Sequence, residues 1–513
     1  MLAKCYSGAV NGVTATPVEI EVNSIVASST FTIVGLPDVA VKEAKDRVST
    51  AVKNSGYSTR QEYAVTVNLA PADVRKEGPI YDLPIAISLL KATGRLDVGN
   101  LADYAFVGEL ALSGVVRRVR GVLPIVLEMK EIGKKAVFVP EENAAEASVV
   151  EGIDVIPVHT LRETAQALTG EHPIPPRTTD LAALVGRADA YEDDFADVKG
   201  QECAKRALEV AVAGGHNVLM IGSPGSGKTM LARRIPSILP PMTVSEALEV
   251  SRIHSVAGPL KVQEAFVARR PFRAPHHTVS SIGLLGGGTR PLPGEVSLAH
   301  RGVLFLDEFA EFPRQALEVL RQPLEDGHVG VSRASAACDF PSRFMLIAAM
   351  NPCPCGYYND PTHDCRCTQS QILKYQRRIS GPLLDRIDIH LGVQAVPVKD
   401  LAGLHRGESS ASIRARVVAA REIQRRRYRS MPGVLTNADA KSRDLQDICR
   451  LSTQAQEEVR RILEALRLSA RAYDRILRVS RTIADLAGHE GVSQEDIMEA
   501  TSYRQLDDDS FWA

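Results

Sequence analysis

The stretch GSPGSGKT, Gly222 to Thr229, follows the apolar run NVLMI and precedes the helix-like MLARRI. A glycine-rich turn between a buried strand and a helix N-terminus is a phosphate cradle, because backbone N–H groups converge where the helix dipole already favours anions. Gly222, Gly225 and Gly227 let the backbone close around phosphate oxygens, with Pro224 and Ser226 completing the loop. Lys228 is then placed to bridge the β- and γ-phosphates and Thr229 to ligate Mg²⁺. This context predicts an α/β nucleotide domain with ATP and Mg²⁺ as cofactors.

Farther along, GVLFLDEF reads as a buried strand ending in two adjacent acids, Asp307 and Glu308. They fall at the C-terminal edge of the sheet, where ligands of open α/β folds gather. Asp307 is expected to hold Mg²⁺ through water and Glu308 to polarise the attacking water. The next apolar strand, RFMLIAAMN, ends on Asn351, placed as a γ-phosphate sensor. GPLLDRID presents Arg386 beside two acids, and it is read as a finger reaching a neighbouring subunit's γ-phosphate. LSARAYDRILRVSRTIADL supplies Arg471 as a second sensor. For both arginines the alternative is an ordinary ion pair.

The 513 residues are too many for one ordinary core, and a prior of roughly 150 residues per domain suggests about three units. Residues 1–169 mix strand-like runs such as YAVTVNLAP with helical ones such as DLPIAISLLKATG, as in a compact α/β unit. Residues 170–197 hold GEHPIPPRTTD and the acidic YEDDFADV, a linker signature. Strands and helices alternate over 198–396, and 397–513 is helical in period and rich in arginine. Within that last part RARVVAAREIQRRRYRS could track a phosphate backbone, although such a run more often forms the solvated face of a helix.

With 61 basic and 62 acidic residues, any polyanion must be met by a local patch and not by bulk charge. No charged n-region followed by an apolar h-region opens the chain, and no run of about 18 apolar residues occurs, so a cytoplasmic protein with no membrane partner is expected. In that reducing compartment the four cysteines of NPCPCGYYNDPTHDCRC call for a reason. Two C-x-C pairs separated by a turn bearing Gly, Asn and Pro could enclose a tetrahedral Zn²⁺ with Cys353, Cys355, Cys365 and Cys367, with His363 able to replace one thiol. Free buried thiols and a disulfide or redox switch remain the other readings.

DVKGQECAKRALEVAVAGGHN, PFRAPHHTVS, PGEVSLAHRGVLFLDEF, MNPCPCG and LLDRIDIH together resemble the ComM/YifB family of bacterial magnesium-chelatase-like AAA+ ATPases. The resemblance implies an AAA+ core with a helical lid carrying Arg471, assembled as a ring, usually a hexamer. It also implies a clade with β-hairpins projecting toward the pore. PFRAPHHTVSSIGLLGGGTRPLPGEVSLAH and GHVGVSRASAACDFPSRF fit such insertions. In them Arg273, His276, His277, Arg290 and Arg333 are candidates for DNA contact, with bracing of the insertion or interface as the alternative for the two histidines.

Residues 1–169 resemble the Lon-protease-like domain also found in RadA, on FVGELALSGVVRRVRGVLPIVLEMKEIGKKAVFVP. There the peptidase serine falls on Ile80 and the lysine on Leu123, so no proteolysis is expected. The family implies a DNA translocase that migrates branches in recombination and natural transformation. The rival is a chelatase-like motor that remodels a protein partner.

Overall fold

The computed structural model describes residues 1–57, 62–187, 191–258, 266–288, 291–333, 336–396, 407–466 and 469–504. Its centre is a five-stranded parallel sheet in the spatial order Phe272–Arg273, Val303–Leu306, Met345–Met350, Val218–Ile221, Ile389–Gly392. The first of these strands in the chain, Val218–Ile221, therefore lies between the fourth and the fifth. The loop that leaves it is flanked by both of their C-terminal ends.

VLMI, VLFL and MLIAAM are buried at every position. Such strands read as unbroken apolar runs because helices cover both faces of a parallel sheet. Alternate residues serve opposite faces: Val218 and Met220 pack in one core with the helices Glu202–Gly214 and Lys228–Ile238, while Leu219 and Ile221 pack in another with Phe309 and Leu317.

The helical lid closes the first of these cores. Ser410–Arg427 and Ala470–Ala487 contribute Ile413, Val417, Ile476 and Ile483 to it. A buried polar chain ties lid to sheet: the His216 ring meets Asp388 at 3.1 Å and Thr482 at 2.8 Å. The arginine run is spent largely on structure. Arg416 pairs with Glu209 and Glu408, Arg421 donates to the Val212 carbonyl at 2.9 Å, and Arg427 meets Asp485 at 2.8 Å. Arg425 and Arg426, held by Glu422, are the most exposed arginines among the described ion pairs of that helix.

Two insertions emerge from the sheet. The first is a helix, Ser281–Leu285, with a short antiparallel pair, Gly286–Gly287 against Leu292–Pro293. The second is a hairpin, His328–Arg333 against Ala336–Pro341, registered from His328↔Pro341 to Arg333↔Ala336. The Cys338 thiol on that hairpin donates to Asn11 Oδ1 at 3.0 Å, so the hairpin touches the N-terminal domain.

The N-terminal domain is a seven-stranded mixed sheet with the helices Asp82–Ala92 and Val122–Glu131 against it. Ile80 and Leu123 are buried in its core. Two apolar side chains offer neither nucleophile nor base there. Its core also takes in Ala247 and Val250 from the helix Val244–Ala257, and Gly121 N–H donates to the Ser255 carbonyl at 3.1 Å. The N-terminal core thus extends past residue 169 into a helix of the ATPase segment. Among the described residues no helix is long and apolar enough to cross a membrane.

Candidate active site

The phosphate loop connects the strand Val218–Ile221 to the helix Lys228–Ile238. Gly225 and Gly227 have φ of 79° and 94°, the left-handed region that a side chain resists. Gly222 is required for another reason, since a Cβ there would lie 2.1 Å from the Val393 carbonyl oxygen. Lys228 Nζ donates to the carbonyls of Gly222 at 2.6 Å and Ser223 at 3.0 Å, and to Asn351 Oδ1 at 3.2 Å. Burial pushes the lysine's pKa down to about 8, with the Asp307 carboxylate opposing.

Thr229 Oγ1 donates to Asp307 Oδ2 at 2.7 Å. A hydroxyl and a carboxylate, both hard oxygen donors, therefore sit together as Mg²⁺ prefers. Pro224 and Ser226 complete the turn, and the Ser226 hydroxyl lies 3.5 Å from Lys228 Nζ.

Glu308 has φ of 52°, uncommon for a residue with a side chain, and its N–H donates to Asp307 Oδ1 at 2.9 Å. The Glu308 carboxylate meets His277 Nδ1 at 2.9 Å. His277 lies against His276, with ring centroids 4.1 Å apart, and His276 bonds the Thr278 hydroxyl. Of the five residues expected to face DNA, His277 thus reaches the Asp-Glu strand. Arg273 is engaged by both oxygens of Glu295 at 2.7 and 2.8 Å. Arg333 ends the first strand of the hairpin. Arg290 lies outside the described residues.

Arg386 pairs with Glu325 and donates to the Pro382 carbonyl at 2.7 Å. Arg471 lies 3.3 Å from Asp385, whose other oxygen holds the buried Arg475 at 3.2 Å. Arg386 and Arg471 share a cavity of about 1000 Å³ lined also by Arg475 and Arg478; Lys228 and Thr229 are not in its wall. Asp385 as the organiser of two lid arginines was not legible in LLDRID, since both partners come from a distant helix.

Beyond Asn351 the four cysteine sulfurs come within 4.8 Å of one another. Cys353–Cys355, Cys353–Cys365 and Cys355–Cys365 stand at 3.4, 3.7 and 3.6 Å, and all four thiols are free. A tetrahedral ion with metal–sulfur bonds of about 2.3 Å spaces its sulfurs about 3.8 Å apart, so the donor set fits a closed Cys₄ site. The backbone N–H groups of Tyr357 and Arg366 bond Cys355, the kind of support that stabilises a thiolate ligand. His363 is outside the set: it stacks on Tyr357 at 4.7 Å and bonds the Thr362 hydroxyl.

Comparison with known proteins places this geometry. Three family models cover most of the chain: "Magnesium chelatase, subunit ChlI" over residues 194–401, "Subunit ChlI of Mg-chelatase" over 18–143, and "Magnesium chelatase, subunit ChlI C-terminal" over 407–504. The chain is 44% identical to the competence protein ComM of Haemophilus influenzae over 508 residues, 98% of each chain. It is 44% identical to the YifB protein of Salmonella typhimurium over 509 residues, 99% of this chain and 97% of the relative. A partial match to Lon protease 2 of Bacillus subtilis, 28% identical over 123 residues, covers 24% of this chain and 22% of the relative. With the AAA+ strand order, the phosphate loop and identity along nearly the whole length in agreement, the chain belongs to the ComM/YifB family of magnesium-chelatase-like AAA+ ATPases.

Proposed function

We propose that this protein is a cytoplasmic, ATP-driven ring translocase that acts on DNA, migrating branches in recombination and natural transformation. The observation that supports the reading is the pairing of Lys228 with Asn351 and of Thr229 with Asp307 at the phosphate loop, in the same domain as the hairpin His328–Arg333/Ala336–Pro341. The competence name of the Haemophilus relative points the same way.

Thr229 and Asp307 would hold Mg²⁺, which would supply electrostatic stabilisation of the charge that develops during phosphoryl transfer. Lys228 trades its carbonyl partners for phosphate oxygens. Glu308, released from His277, orients the attacking water, and Asn351 orients it from the neighbouring strand. Arg386 reaches across a subunit boundary, as a hexameric ring allows, and Arg471 on the lid serves as the second sensor. The hairpin, with Arg333 at its end, is the element that moves against the DNA. Zn²⁺ is the proposed occupant of the four-cysteine cluster, as a structural ion.

Steady-state ATP turnover with and without single-stranded or branched DNA, at two salt concentrations, tests the reading, with Lys228→Ala as the blank. Severalfold stimulation that fades with salt is expected, because each phosphate contact releases counterions. Clear basal turnover that no DNA stimulates would instead favour remodelling of a protein partner.

The burial of Lys228 gives a further expectation. Phosphate binding requires the charged amine, and its pKa before binding is held down to about 8. ATP affinity should be flat below that pH and weaken by up to about tenfold per unit above it, as binding has to supply the proton. Titration of nucleotide affinity through that range checks it; an affinity unchanged well above pH 8 contradicts it.

A further inference from the structure

The cysteine loop is fastened to the phosphate loop at two points between its two cysteine pairs. Gly356, with φ of 88°, lies directly on Pro224: a Cβ there would come within 2.6 Å of the proline Cδ and 3.8 Å of Asn351 Cγ. Asp360, its side chain only 5% exposed, accepts from Thr362 N–H at 2.8 Å, the Thr362 hydroxyl at 2.7 Å and His363 N–H at 3.0 Å. The Ser223 side chain, from the second residue of the phosphate loop, acts on the same carboxylate and, after the Thr362 hydroxyl, helps hold its pKa well below the usual carboxylate range. Ser223 also supplies one of the carbonyls that hold Lys228 Nζ.

Cys353 and Cys355 stand at the near end of this fastened segment, Cys365 and Cys367 at its far end. Cys353 is fully buried, and Gln376 bonds the Pro352 carbonyl beside it at 3.3 Å, so the near end is anchored in the domain core. The far end runs through Thr368, the N-cap, into the helix Gln369–Gln376, seated by buried Ile372 and Tyr375, so the sulfur cluster joins two anchored ends. A metal ion joining the four sulfurs closes the segment into a loop of fixed span, and thereby holds Gly356 on Pro224 and Asp360 on Ser223.

We propose that the Cys353/Cys355/Cys365/Cys367 site is a Zn²⁺-dependent strut of the nucleotide pocket, which sets ATP affinity by fixing Gly356 and Asp360 against the phosphate loop. This rests on the zinc reading above and adds to it a regulated property: the pocket binds nucleotide at full affinity only when the metal is present. A structural ion confined to its own loop would leave the nucleotide untouched.

The experiment uses the full-length protein, with zinc per chain by elemental analysis and affinity for a fluorescent ATP analogue measured in parallel. About one zinc per chain is expected for a single closed site. Stripping with a strong chelator should weaken nucleotide binding about tenfold or more, and Zn²⁺ but not Mg²⁺ should restore it. Asp360→Ala should keep the zinc and still weaken the nucleotide about tenfold, the loss of one bond to a charged group. Circular dichroism excludes global unfolding, and Asp360→Asn serves if the alanine variant is insoluble.

Zinc well below one per chain overturns the zinc reading and the strut with it. Full zinc occupancy, with nucleotide affinity unmoved by chelation or by Asp360→Ala, overturns the strut and leaves the zinc reading standing.

Discussion

Glu308→Gln should bind ATP as the parent does and turn it over about a hundredfold more slowly or worse, the usual cost of removing a positioned base. Nucleotide affinity survives because the contacts that make the cradle do not involve this side chain: Lys228 rests on Gly222, Ser223 and Asn351, and Thr229 on Asp307. Glutamine has the same shape, so the left-handed backbone at φ of 52° is no worse for it. The ion pair with His277 is lost, but its members are 31% and 56% exposed and such a pair contributes little to stability. The variant should therefore fold, fill with ATP and accumulate on DNA without release. Single-turnover hydrolysis alongside equilibrium nucleotide binding separates the two steps. Turnover equal to the parent would remove Glu308 from the reaction; lost binding would mean that it shapes the pocket instead.

The residues legible in the sequence share one property: each is fixed by the segment it sits on. GSPGSGKT is local chemistry, and Asp307, Glu308 and Asn351 each follow an apolar strand that could only be central. Ile80 and Leu123 were legible for the same reason, an apolar residue where a reactive one is needed. What the sequence hid are partnerships between segments. His277 meets Glu308 and Gly356 meets Pro224 because loops from different strands converge at one sheet edge, and no periodicity records that. The arginines of Ser410–Arg427 look like a polyanion track by spacing, yet Glu209 and Asp485 arrive from other helices to neutralise them. In the first insertion the described strands pair at two positions only, Gly286–Gly287 with Leu292–Pro293, beside the helix Ser281–Leu285.

Arg386→Ala should lower kcat by about a thousandfold or more while changing nucleotide affinity little, as loss of an arginine finger does. The argument is one of placement. Arg386 leans on Glu325 and the Pro382 carbonyl and shares its cavity with Arg471, away from its own phosphate loop. An arginine so placed can reach a γ-phosphate only by presenting itself to a second copy of the chain, and the proposed ring supplies one. Lys228→Ala fails for the opposite reason, an intact finger beside a pocket that cannot hold ATP. Mixing the two inactive variants should therefore restore turnover, since about a quarter of randomly formed head-to-tail interfaces pair a sound pocket with a sound finger. Arg386→Lys should not substitute, because a single ammonium cannot reproduce the planar fork. If the mixture stays inactive under conditions where rings assemble, Arg386 serves its own subunit or none, and its pairing with Glu325 is then the ordinary ion pair that the sequence left open.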